Sequence, residues 1–119
     1  MNDTSNLDLS KTPPRSGREM LGGWSWLARI ADKVRADHAG TPGEYIAYCG
    51  LSTGFLDRAG IAREEFDEMI RNGASDQDLL AHFEHTSSPE QKAAANEYVL
   101  VAQKHHLDKQ DAEEGRAGA

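Results

Sequence analysis

Glu44, Tyr45, Tyr48 and Cys49 put a carboxylate, two phenols and a thiol into one short segment between Gly43 and Gly50. Such groups can hold a small polar ligand through hydrogen bonds, exchange protons with it, or attack an electrophile through sulfur. A nucleophilic cysteine needs a nearby base or cation to lower its pKa, and the sequence does not say which histidine or arginine approaches Cys49. The leading reading of Cys49 is a small buried residue with no chemistry, ahead of a ligand site and then of covalent catalysis. Arg35 is the cation that could complete the group. It projects close to the centre of the apolar arc of the preceding helical segment, where a charge must find a carboxylate, a carbonyl or a ligand. A structural ion pair, with Glu44 as a candidate partner, and recognition of an anionic ligand both meet that need. The candidate ligand site is therefore Arg35, Glu44, Tyr45, Tyr48 and Cys49, with no residue assigned a catalytic role and no cofactor implied.

Other constellations carry less. Arg29, Asp32 and Lys33 can pair along one helix, where each pair is worth only about 0.2–0.5 kcal/mol. His82 and His85 share a helical face, and His105 and His106 lie near the end of a later helix. Zinc wants three or four converging ligands, and adjacent histidines on a helix point about 100° apart. Histidines also favour helix C-termini for the dipole, so no metal site is assigned. There is no phosphate-binding glycine loop, GxSxG elbow, CxxC pair, HExxH motif, EF-hand loop or aromatic-basic RNA motif, and the common enzyme classes lose weight accordingly.

The element that must position the candidate site is the segment Ser16–Ala39. Met20, Leu21, Trp24, Leu27, Ala28, Ala31 and Val34 share one helical arc, with Arg29, Lys33 and Asp37 outside it. Ser16 followed by Glu19 matches a capping box, and Gly40, Pro42 and Gly43 mark the end. Gly22 and Gly23 weaken the helix and predict either a close approach by another helix or a late start. Trp24 is expected in the core and Trp26, on the opposite flank, at least partly exposed. Before this helix, Leu7 and Leu9 with Pro13 and Pro14 predict an extended arm. After it, residues 44–50 read as an extended connector with Ile46 and one tyrosine inward.

Ser52 can cap a short helix that stops at Gly60, and a second runs from about Arg63 to Asn72. Ser75 with Asp78, and Ser88-Pro89-Glu90-Gln91, are capping-box starts for two more. The last of these is expected to reach about His106 on a stripe of Ala94, Tyr98 and Val101, widened by Ala95, Val99 and Ala102. Beyond Asp108 no apolar residue larger than alanine remains to hold the chain to a core.

The opening LDLSKTPPRSGREMLGGWSWLARIADKVRADHAGTPGEYIAYC resembles that of a small bacterial family of domains of unknown function. Its members read LDLSKTPPRSPRE, LGG, WLAR, DK, RA, AGT and GEY in that order. The likeness extends over residues 7–83 or so. It implies a compact single-domain bacterial protein and brings no assigned activity. Gly17 stands where the family usually has proline, and Gly50-Leu51-Ser52 where Pro-Leu-Asp is usual.

The 119 residues suffice for one domain with one core, and a hydrophobic fraction of 38% predicts a modest one. A net charge of −7 gives no general attraction for nucleic acid or anionic lipid. Residues 11–39 are nevertheless in basic excess and residues 61–90 in acidic excess, so the two are expected to face each other or lie solvated, unless the basic segment meets an anionic ligand. No apolar run approaches the roughly 18 residues of a membrane span, and the N-terminus lacks a secretory pattern. With a single cysteine, this predicts a cytoplasmic protein.

The fold expected is all-α: one domain over residues 7–107, a bundle of about five helices with an extended N-terminal arm, and disordered ends at 1–6 and 108–119. The leading functional expectation is a non-enzymatic module that binds a protein partner or itself. The alternative is a protein or enzyme that takes a small anionic metabolite in a polar cleft at Arg35, Glu44, Tyr45, Tyr48 and Cys49. A deep polar pocket favours the second and a flat apolar patch near Trp24 or Trp26 the first.

Overall fold

In the computed structural model, which describes residues 7–116, the first regular helix is α1 (Leu27–Ala39). It begins well after the Ser16 signal. Gly22, Gly23 and Trp26 take φ of 58°, 85° and 69°, left-handed values that a right-handed helix cannot contain. The carbonyls of Gly22 and Gly23 accept hydrogen bonds from Lys92 Nζ at 3.0 Å and Asn96 Nδ2 at 2.8 Å. A side chain at Gly22 would collide with Leu80. Ser16 donates its hydroxyl to Asp111 at 2.8 Å instead of opening a helix. The predicted stop holds: Gly40, at φ 79°, caps α1 through the carbonyls of Ala36 and Asp37.

Five further helices follow among the described residues: α2 (Gly50–Ala59), α3 (Arg63–Arg71), α4 (Asp76–Thr86), α5 (Pro89–Glu97) and α6 (Lys104–Glu113). No strand occurs among them, only an isolated bridge between Leu21 and Trp24. Both capping boxes form, Ser75 with Asp78 and Ser88 with Gln91. The expected final long helix is instead broken. A π-helical turn at Tyr98–Ala102 and Gln103 separate α5 from α6. The buried face is Ala95, Val99 and Leu107; Ala94 and Val101 of the expected stripe are exposed, Ala94 already before the π turn, because they lie on the other side of the helix. The start of α2 also differs, since Cys49 occupies the N-cap and Ser52 lies buried one turn inside.

Helix α1 is the centre of the molecule. Every residue from Leu27 to Ala36 is buried, the charged ones included. Trp24, Phe55, Phe66 and Phe83 form the aromatic heart of the core, with Trp24 edge-on to Phe83 at 5.0 Å between ring centres. The expectation that Trp26 is exposed is overturned. It is 0% exposed, and its indole N–H donates to Ser52 Oγ at 3.0 Å. Because the chain turns left-handed at Trp26, its side chain leaves the direction that a continuous helix would give it. Gly17 makes room for the ring, as a Cβ there would lie 2.5 Å from it. Met20 and Ile46, both expected inward, are exposed, Met20 because it precedes the helix rather than sitting on it.

The N-terminal arm packs as expected. Leu9 is buried, and its N–H reaches the Thr41 carbonyl at 2.9 Å. The C-terminal segment does not match expectation. Residues 108–113 continue α6, Asp111 is buried, and Glu114 folds back onto α1, so 108–116 are held by charge where no apolar side chain could hold them. The expectations for residues 1–6 and 117–119 lie outside the described residues.

Candidate functional site

Arg29 and Lys33 are four residues apart on α1, so their side chains leave the helix on one face. The helical projection makes that face polar, yet Arg29 is 2% and Lys33 4% exposed. Three segments cover it: the N-terminal arm at Leu9 and Ser10, the connector 43–49, and the end of α6. Where they meet, they leave a cleft of about 570 Å³ lined by Arg29, Lys33, Glu44, Tyr45, Cys49, Gln110, Glu113 and Glu114 among others.

Lys33 Nζ and Cys49 Sγ lie 3.4 Å apart. Burial pushes the Lys33 ammonium below its ordinary pKa, and Arg29 adds to this, while Cys49 and Glu114 act the other way. Burial alone would push the Cys49 thiol up. The Lys33 charge and hydrogen bonds from the Ser52 hydroxyl and amide outweigh it, and the thiol stands below its ordinary value. Cys49 is also the N-cap of α2, where the helix dipole favours negative charge. Ser52 is arranged to help. Its oxygen accepts the Trp26 N–H and, at 3.6 Å, the Cys49 S–H; once the thiol gives up its proton, the Ser52 hydroxyl can turn its own proton to the sulfur.

Beside this pair, Arg29 makes a two-pronged ion pair with Glu114, at 2.9 and 2.7 Å, and lies 5.4 Å from the Trp26 ring and 5.6 Å from the Tyr45 ring. The Tyr45 hydroxyl donates to the same carboxylate at 3.0 Å. Arg116 is its further partner. Glu114 is thus shared by two arginines and a tyrosine.

The five residues singled out in the sequence divide. Glu44, Tyr45 and Cys49 line the cleft, Glu44 at its exposed rim. Arg35 does not join them. It forms a structural ion pair, with Asp76 at 2.9 Å and the Ala74 carbonyl at 3.1 Å rather than with Glu44, in a cluster where Arg15 joins Asp32 to Asp76. Tyr48 also turns away, donating to Asp67 at 2.8 Å beneath the Arg63 guanidinium. These contacts bring the basic N-terminal segment against acidic residues of the 61–90 segment. Sequence reasoning missed Lys33, Arg29, Ser52 and Glu114. The spacing of Trp26, Arg29 and Lys33, an aromatic and two cations on one face, could have flagged the first two. Nothing local marks Glu114. Among the described residues, no three His, Cys, Asp or Glu side chains converge as metal ligands.

The thiol can be tested directly. Iodoacetamide alkylation of Cys49 is expected to show a pH midpoint below that of free cysteine, with Lys33→Met raising the midpoint and slowing the reaction several-fold at neutral pH. Lys33 faces the sulfur, with Arg29 and Glu114 behind it; Glu44 and Glu113 stand on the rim, and His106 lines a second cavity onto which Cys49 also opens. A midpoint at or above that of free cysteine would contradict the arrangement.

No curated protein matches the chain. The family model described as Domain of unknown function (DUF5069) matches residues 11–118, a span that takes in all six helices and most of the cleft lining. The chain belongs to the DUF5069 family.

Proposed function

We propose that this domain binds a small carboxylate-bearing molecule in the cleft between α1, the 43–49 connector and the end of α6, with Lys33 as the anchoring cation. One observation carries the reading. The buried Lys33 ammonium has three N–H donors and a single partner among the described residues, the Cys49 sulfur. Arg29 adds to this, since its buried Nε has no acceptor and its side chain lines the same cleft. A buried donor without a partner costs about 1–3 kcal/mol, which a ligand oxygen at this position would recover. Charge favours an anion at the floor, because Glu114 is divided between Arg29 and Arg116 while Lys33, among the described residues, has the thiol and the Trp26 ring but no carboxylate. Glu44 and Glu113 at the water-exposed rim favour a neutral or cationic far end.

A protein-interaction module would be supported by an apolar patch near Trp24 or Trp26. Both indoles are buried, and the exposed large apolar residues Met20, Ile46 and Val101 sit on three separate segments.

The experiment is a thermal-shift series with acetate, pyruvate, succinate and citrate as probes. At least one is expected to raise Tm by several degrees in the native protein and by none in Lys33→Met, since a ligand of the folded state stabilises it by mass action. No shift with any of the four, or shifts that survive in Lys33→Met, would refute the reading.

A further inference from the structure

Cys49 is the chain's single cysteine, so no second thiol within it can resolve an oxidised sulfur. The nucleophile beside it is an amine. Lys33 Nζ stands 3.4 Å from Cys49 Sγ and, among the described residues, has no carboxylate or carbonyl partner to hold it elsewhere. The sulfur is only partly buried and opens onto the cleft, which admits a small oxidant. We propose that Lys33 and Cys49 form a peroxide-responsive covalent switch, in which oxidation joins Sγ to Nζ as a sulfenamide.

The steps balance with hydrogen peroxide as oxidant. The Cys49 thiolate attacks one peroxide oxygen, the S–O bond forms and the O–O bond breaks. The departing hydroxide takes a proton from the Lys33 ammonium and leaves as water. This yields a sulfenic acid and, next to it, a neutral amine. The amine nitrogen then displaces hydroxide from sulfur, losing a proton to it, so that an S–N bond forms and a second water leaves. Two equivalents of an external thiol restore the free cysteine and lysine and end as a disulfide. The geometry serves both steps with the same group, first as proton donor and then as nucleophile.

The bond would tie α1 to the N-terminus of α2, and it would remove the one ammonium on the cleft floor. Any ligand held by Lys33 would be released on oxidation. The chemistry itself needs no ligand, so its test is independent of the cleft's occupant.

The ligand-free protein is treated with a few equivalents of hydrogen peroxide and its intact mass and peptides are measured. The native chain is expected to lose two hydrogens, to yield a linked peptide pair containing Lys33 and Cys49, to resist iodoacetamide, and to recover fully with dithiothreitol. Lys33→Met and Lys33→Arg, the second keeping the charge but not the nucleophile, should instead gain one oxygen in a form that dimedone traps. Cys49→Ser should not change mass at this site. The proposal is overturned if the native chain only gains oxygen, if it is inert to peroxide, or if either lysine variant loses two hydrogens in the same way.

Discussion

Glu114→Ala is expected to lower the unfolding free energy by about 3–5 kcal/mol, because it strands a buried guanidinium. Arg29 is nearly inaccessible to water, and its two-pronged contact with Glu114 supplies its carboxylate partner. The charge would remain buried with only the Arg15 carbonyl and two aromatic faces around it. Tyr45 would lose its acceptor as well, and Arg116 would be left with the Pro14 carbonyl and Asp111. Urea denaturation of the single variant, and of Arg29→Met with Glu114→Leu, separates the cost of a stranded charge from the net worth of the pair. The double variant should regain most of the loss, since apolar replacements of buried pairs are tolerated. A chain ending at Leu107 should be at least as unstable as Glu114→Ala. Equal stability of native and truncated chains would show that the C-terminal segment does not dock.

The pair also predicts an acid response. Burial pushes the Glu114 carboxyl up, but Arg29, Tyr45 and Arg116 outweigh it and hold it below its ordinary value; Asp76 is held low in the same way by Arg15 and Arg35. The unfolded chain therefore takes up protons at a higher pH than the folded one. Stability from these groups is complete above the ordinary carboxylate range and is lost as pH falls through their folded values. Acidification should destabilise the native chain more steeply than the Arg29→Met, Glu114→Leu variant.

Trp26→Ala is expected to cost about 3–5 kcal/mol, the range for a fully buried large aromatic, and to leave little folded protein in a domain of this size. Two losses combine. The ring is packed against Gly17 on one side and stacked by Arg29 and Lys33, each 5.4 Å from its centre. Its N–H holds Ser52. The backbone at φ 69° is as unfavourable for tryptophan as for alanine, so it adds nothing to the difference. Trp26→Phe should lose less, keeping most of the ring burial but not the Ser52 hydrogen bond. Thermal unfolding followed by circular dichroism measures both; a loss under about 1 kcal/mol for the alanine variant would contradict the packing.

Short-range signals were legible in the chain. Ser75 with Asp78 and Ser88 with Gln91 started helices, and Gly40 and Gly60 ended them, because each act is completed within a few residues. The all-α class follows from the same signals. The grouping of Glu44, Tyr45 and Cys49 at one cleft was also legible, since they share one connector.

What the sequence alone could not decide were matters settled between distant segments. Whether α1 has a polar face depends on what covers it, and Arg29 meets Glu114 across 85 residues of chain. Periodicity records which residues share a face, not which faces find partners. Arg35 illustrates the limit: its burial was read from its place in the apolar arc, but its partner, Asp76, is set by how α4 packs. The start of α1 was misread for a related reason. The capping pattern at Ser16 is intact, yet Asp111, Lys92 and Asn96 compete for the hydroxyl and carbonyls that a helix would use, and those residues arrive only when the C-terminal half folds against it. Lys33 beside Cys49 is the same case. Lys33 lies on α1 and Cys49 at the N-cap of α2, so tertiary packing, which spacing does not encode, decides which cation the sulfur meets.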